Sequence, residues 1–267
     1  MPIVAFALAA LLTVGAQAAA ADQATQRIPR GDRLVLQAST GGGLVPIEVT
    51  RNQIPELTIT GNGRVITLGP TTLEYPPAAL PNLQEGSISR ARVRRLVAAA
   101  AALGLLGEEH GEYGEPGITD QAATTVTVVA DGERSVTSVY ALGYEGDELT
   151  DDQLAARDDL IDFLGAASDT RTTEPYVIER LAVLVARGDR AAQEGAPIPW
   201  PLGDLGEVLP PADSDAEGCV LVTGTDLATV LDAARGATTL TPWTSNGETY
   251  SLAFRPLLPN ERDCDDV

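Results

Sequence analysis

Lysine is missing altogether: every one of the 18 basic residues in this 267-residue chain is arginine, and His110 is the only histidine. The first absence removes Schiff-base chemistry, the phosphate-holding lysine of P-loops and Ser-x-x-Lys nucleophiles. The second, with only two cysteines available, leaves too few ligands for a His/Cys zinc site within one chain once the cysteines pair. There is no C-x-x-C redox pair and no G-x-S-x-G elbow, which excludes thioredoxin-type oxidoreductases and the usual serine hydrolase. Aromatics are scarce, with Trp200 and Trp243 the only tryptophans. Positive charge is outnumbered by 38 acidic residues, giving a formal net charge of −20. A charge of that sign and size repels nucleic acid and anionic lipid. No cofactor and no metal site is expected.

What is present begins with the N-terminus. Ile3–Val14 is an apolar run of the length of a signal-peptide core, and Ala16, Ala18 and Ala20 supply small residues at the spacing signal peptidase accepts. The run is too short and too alanine-rich for a membrane span, which takes about 20 strongly apolar residues. Residues 1–20 are therefore predicted to be a cleaved signal, leaving no integral membrane span and an extracytoplasmic protein, secreted or associated with the cell envelope. Cys219 and Cys264 fit that compartment as one structural disulfide. Such a bridge closes roughly 45 residues, which the chain-entropy model values at about 4 kcal/mol.

Beyond the signal, the pattern predicts an α+β fold: β-hairpins building an antiparallel sheet, with helices on one face. Leu34–Ala38 reads as a strand. Glu56–Thr60 and Arg64–Leu68 flank Gly61-Asn62-Gly63, and Thr125–Ala130 and Ser135–Leu142 flank Asp131-Gly132. A proline-rich loop covers Gly69–Asn82. A helix is expected from Ser87 to about Leu106, with Val93, Leu96, Val97, Ala100 and Leu103 on one face. Thr150 and Gln153 form a capping box for a second helix reaching about Gly165. Pro175–Ala186 reads as one long strand, and Cys219–Thr223 as another. Thr225 caps a third helix, and Thr239–Thr244 and Thr249–Arg255 flank Asn246-Gly247, the strongest short hairpin signal. The stretches starting at Ala123 and Ala237 are alike and each follows an alanine-rich helix, so a duplicated helix–strand–strand unit is one reading and convergent hairpin grammar another. The expected organisation is an N-terminal α+β region over 21–190, a proline-rich connection over 191–218 and a disulfide-closed αββ region over 219–267. The last can also form one domain with the first.

The segments LTITGNGRVI (57–66), ALPNLQ (79–84), YGEPGITD (113–120), WPLGDL (200–205) and FRPLLPNE (254–261) resemble a family of exported proteins from high-G+C Gram-positive bacteria. The resemblance spreads over most of the chain beyond the signal and implies a common fold and export. It implies no activity, since none is assigned to that family, and carries no functional residue over.

Several constellations bear on chemistry. Glu108-Glu109-His110 with Glu112 reads as a general base or metal ligand, or as a solvated glycine-rich connection. Asp213-Ser-Asp-Ala-Glu-Gly218 opens like a calcium loop, but Gly224 stands where the bidentate glutamate belongs. A full EF-hand is excluded. Asp263, Asp265 and Asp266 read as a charged tail. Arg30-Gly31-Asp32 and Arg187-Gly188-Asp189 are RGD tripeptides for which coincidence is the default. Trp243 is expected in the core, whereas Trp200, between Pro199 and Pro201, is expected to be partly exposed.

These signals favour a non-catalytic binding protein whose partner is an exported protein or cell-envelope component. The contact surface expected is Tyr75–Leu83 with Tyr113 and Trp200, because exposed prolines and aromatics lose little entropy on binding. A hydrolase using paired carboxylates and a structural envelope component are the alternatives. Protein recovered outside the producing cell is expected to begin at Ala19 or Ala21. N-terminal sequencing checks this, and an intact Met1 overturns it.

Overall fold

The computed structural model describes residues 26–44, 53–107, 111–170, 172, 174–188, 194–210 and 217–267. The expected signal segment, the Glu108–His110 loop, Asp189 of the second RGD and residues 213–216 of the calcium-like loop lie outside these residues. The fold is mixed α+β, as the hairpin pattern predicts, and among the described residues it has three α-helices and two sheets.

The first sheet is wholly antiparallel. Its strands are β1 (Leu34–Gly41), β2 (Leu57–Thr60), β3 (Arg64–Leu68), β4 (Leu83–Ser87), β5 (Ala123–Ala130), β6 (Glu133–Tyr140) and β7 (Glu174–Pro175). They lie side by side as β6-β5-β1-β2-β3-β4-β7. Helices α1 (Arg90–Ala102) and α2 (Asp151–Ser168) cover one face. Val93, Leu96, Val97 and Ala100 of α1 and Leu160, Phe163 and Ala167 of α2 pack on Leu36, Ala38, Leu57, Ile59, Val65, Val126 and Val128. Strand alternation explains the choice, since these sheet residues share one face of the pleat. The capping box of α2 forms as expected between Thr150 and Gln153. Helix α1 starts later and stops earlier than its apolar pattern predicts. The cap is Ser89 rather than Ser87, accepting from the Arg92 N–H at 3.2 Å, and Gly104 at φ 69° ends the helix before Gly107.

Arg157 occupies an apolar-face position of α2 and is 2% exposed. Among the described residues no carboxylate pairs with it. Its guanidinium donates to backbone carbonyls of Tyr113 (2.9 Å), Gly114 (3.4 Å), Tyr140 (2.7 Å) and Ala141. A planar donor fork thereby ties the 113–114 loop to the end of β6.

The second sheet comprises β8 (Arg180–Arg187), β9 (Ile198–Pro199), β10 (Gly218–Thr223), β11 (Trp243–Ser245) and β12 (Glu248–Pro256), in the order β10-β8-β12-β11-β9. Helix α3 (Gly224–Ala234) buries Leu227, Val230 and Ala234 against Leu181, Val183, Val222 and Phe254. Three expectations change here. The long strand read over Pro175–Ala186 divides into β7 and β8, which belong to different sheets. The boundary expected at residue 190 consequently falls after a central strand of the second sheet, and part of the proline-rich connection enters that sheet as β9. The two helix–strand–strand stretches also pair differently. The first strand of the earlier hairpin, β5, joins β1, whereas the second strand of the later one, β12, joins β8.

The two sheets meet at a small apolar junction of Ile54, Ile66, Leu83 and Leu258 with Tyr176. Tyr176 donates its hydroxyl to the Leu257 carbonyl at 2.8 Å, and burial pushes its ionisation up to about 12. The turn carrying Leu257 and Leu258 is held by Glu261. That buried carboxylate accepts from Arg255 at 2.7 and 3.2 Å and from the Leu258 N–H at 2.7 Å. The expected disulfide is present, joining Cys219 of β10 to Cys264 with Cα atoms 6.1 Å apart.

Removing one partner of a buried ion pair strands the other charge, at a cost of about 3–5 kcal/mol. Glu261→Ala is expected to lower unfolding free energy by that order, read from the urea midpoint. Asp232→Ala, which breaks the exposed contact with Arg235, is expected to cost no more than about 1 kcal/mol.

Candidate functional site

Gly69–Asn82 leaves the first sheet after β3 and returns to it at β4, and both ends are fixed. The Gly69 N–H donates to the Asn82 carbonyl at 2.7 Å, and Asn82 Nδ2 donates to the Pro70 carbonyl at 2.8 Å. Further along, the Ala79 N–H donates to the Ala237 carbonyl (3.0 Å) and the Thr239 N–H to the Pro77 carbonyl (2.9 Å), pairing Ala78 with Thr238 as a β-bridge. Ala79 and Leu80 then pack into the core of the second sheet. A loop of the first sheet is thus stitched to the unit built on the second. Prolines at 70, 76, 77 and 81 limit its backbone freedom, and the Tyr75–Pro76 peptide is cis.

At the tip of this fixed loop Leu73 is fully exposed and Tyr75 is 80% exposed, with Glu74 between them. Two depressions continue the surface. The nearer, about 350 Å³, is lined by Pro76, Gly195, Ile198, Thr238 and Thr241. The farther, about 610 Å³, is lined by Pro199, Trp200, Asp204, Ser245 and Asn246 among others. Strand β9 runs between them, with Ile198 on one and Pro199 on the other.

The farther depression is built around the Asn246-Gly247 turn, where both residues take positive φ (49° and 82°) as the hairpin signal predicts. Asp204 clips it to the neighbouring 3-10 turn, Leu205–Val208. Its carboxylate accepts the Gly206 N–H at 2.8 Å and is also bonded by the Asn246 and Ser245 side chains. Ser245 Oγ in turn accepts the Leu205 N–H at 3.2 Å. Those bonds, the Gly206 one foremost, hold the Asp204 carboxyl below the ordinary carboxylate range.

The three aromatic contact residues expected from the sequence fare differently. Tyr75 is exposed. Trp200 is 7% exposed, because its ring packs edge-on against Trp243 at 6.1 Å between centroids, and only its margin reaches the depression. Prolines on both sides set the backbone of this segment; they do not keep its side chain in water. Tyr113 is 8% exposed and lies in the core of the other sheet, where burial and nearby Asp159 raise its hydroxyl pKa. Tyr75 and Trp200 therefore belong to one side of the molecule and Tyr113 does not. Sequence reasoning missed Leu73 and Asp204. Leu73 was visible as an apolar residue with no periodic partner, and Asp204 as the start of an Asp-x-Gly turn.

Chemically, this side of the molecule offers exposed apolar side chains beside a hydrogen-bonded carboxylate, Asp204. No cluster of three potential metal ligands occurs among the described residues. Asp204 and Asp266 are both held below the usual carboxylate range by backbone N–H donors, the reverse of what a general acid requires. Asp32 of the first RGD is engaged at the surface through one carboxylate oxygen, by Asn62 at 2.8 Å and Arg64 at 3.5 Å. Comparison with protein-family models, curated proteins and solved structures finds no match to the chain.

A lowered carboxyl pKa contributes stability above the unfolded value, about 3.9 for aspartate, and loses it as pH falls through the folded value. Both tryptophans lie beside this clip, so their fluorescence is expected to stay constant from neutral pH into the ordinary carboxylate range and change only below it. In Asp204→Asn that acid step is expected to shrink. An unchanged step assigns it to other carboxyls.

Proposed function

We propose that this is a non-catalytic binding protein that works outside the cytoplasm. It grips an exported or envelope-associated protein partner with the apolar tip of its proline-rich loop. The observation that carries the reading is the pairing of exposure with fixation. Leu73 and Tyr75 stand in water on a loop whose ends are bonded to each other and whose Pro77–Ala79 segment is bonded to the Ala237–Thr239 connection of the second unit. Burying such side chains yields on the order of 1.5–3 kcal/mol each, and a loop already ordered loses little entropy when it is bound. Nothing in the core calls for these two side chains, so their exposure is the feature that needs a partner.

The compartment rests on independent support. A disulfide forms and persists in oxidising surroundings, and the N-terminal segment has the pattern of a cleaved signal. Among the described residues no helix is long and apolar enough to cross a membrane. The net charge of −20 directs the choice of partner toward proteins and away from anionic polymers and lipid surfaces.

The test is cross-linked capture from the cell envelope with the wild-type protein and with the double variant Leu73→Ser/Tyr75→Ala. One enriched exported protein is expected with the wild type, with recovery falling at least about tenfold for the variant, the equivalent of roughly 1.4 kcal/mol. Because both side chains are exposed, the melting temperature is expected to stay within a few degrees. Equal recovery with both proteins sinks the loop as the contact surface.

A further inference from the structure

Among the described residues, the first sheet lies open along the margin opposite the proline-rich loop, where β6 is paired on one side only, to β5. Asp131 and Gly132 take positive φ (54° and 89°) in the two-residue turn between these strands, so Ala130 and Glu133 exchange both backbone bonds. Alternation commits Ser135, Thr137 and Val139 to β5 as well. The bond from the Ala141 N–H to the Ala122 carbonyl, at 2.9 Å, keeps the same phase. The backbone groups of Arg134, Val136, Ser138 and Tyr140 therefore point away from β5. Arg157 takes the Tyr140 carbonyl at 2.7 Å. Among the described residues the other three have no backbone partner on that side.

The other sheet margins are closed off. Strands β7 and β9 are two residues long and each carries a proline, Pro175 and Pro199. Strand β10 carries Cys219, whose disulfide brings the Cys264 turn against it. Shortness and proline are the devices that stop an edge from recruiting another chain. Strand β6 has neither. It is eight residues long, regular in register and free of proline.

We propose that β6 is a self-association edge, through which two copies of this chain pair antiparallel about a two-fold axis at Val136. A second copy is the occupant the geometry fits. The three free residues are centred on Val136, so opposing Val136 to Val136 sets Arg134 against Ser138 and pairs every free N–H and C=O of the stretch. A two-fold perpendicular to the sheet also keeps like faces together. The Val136 side chains, each 45% exposed, then meet on the face turned away from the helices. Glu133 and Arg134 cancel, so the strand is locally neutral in a chain of net charge −20. What opposes the contact is long-range repulsion, which salt screens. One strand pair is a small interface, so the association is weak and concentration-dependent.

Sedimentation equilibrium of the purified protein tests this. The average mass is expected to climb toward twice the single-chain value with concentration, and to climb earlier at high salt than at low. Val136→Pro removes an N–H that β5 does not use, and Val136→Asp brings two carboxylates together at the axis. Both variants are expected to remain monomeric with the circular dichroism of the parent. A single-chain mass at every concentration and salt overturns the proposal. So does a dimer that Val136→Asp retains while staying folded.

Discussion

A carboxylate taken out of water needs partners, and the docking of the two sheets depends on how one of them is satisfied. Glu261 is buried and receives both arms of Arg255 and the Leu258 N–H. That arrangement fixes the turn after β12, which offers the Leu257 carbonyl to Tyr176 and inserts Leu258 among Ile54, Ile66 and Leu83. Without the turn, the apolar patch between the sheets loses its residue from the second unit. The stitched loop spans the same two units, pairing Ala78 with Thr238, so the placement of Leu73 and Tyr75 depends on sheets that are already docked. An electrostatic requirement in the interior thus sets where two exposed apolar side chains stand on the exterior.

The local features of this fold were legible in the sequence because they are chemically local. Asn246-Gly247 and Asp131-Gly132 specify their turns through residues that tolerate positive φ. Thr150 and Gln153 specify a helix start by bonding each other's backbone. The disulfide followed from counting two cysteines in a chain read as exported. Strand partnership was not legible. Tyr176–Glu179 connects two sheets yet reads as uninterrupted strand, because alternation records which face is buried and not which neighbour is bonded. The similarity between the Ala123 and Ala237 stretches was real as turn grammar, and it said nothing about which hairpin strand would face inward.

The candidate surface was half legible for a related reason. Tyr75 was visible as an aromatic in a proline-rich loop, and it is exposed. Trp200 looks the same in sequence and is buried, since its fate is decided by Trp243, far along the chain. Arg157 and Arg255 show the same limit from the opposite side. Charged residues read as surface until long-range partners, four carbonyls for one and Glu261 for the other, make burial tolerable. Arg157 did leave a trace, as the charge interrupting the apolar stripe that continues through Leu160 and Phe163.

Strand β12 has a place in the second sheet that bears on when the protein can fold. It sits in the middle, between β8 and β11, yet the ribosome makes it after every other strand of that sheet. Until it emerges, β8 has only β10 beside it, the Trp243–Phe254 contact does not exist, and the Arg255 turn is absent. Assembly of the second unit is therefore deferred to the close of synthesis, with closure of long loops as its entropic toll. A chain with this strand order keeps its second unit unassembled, and so extended and threadable, for most of its translation.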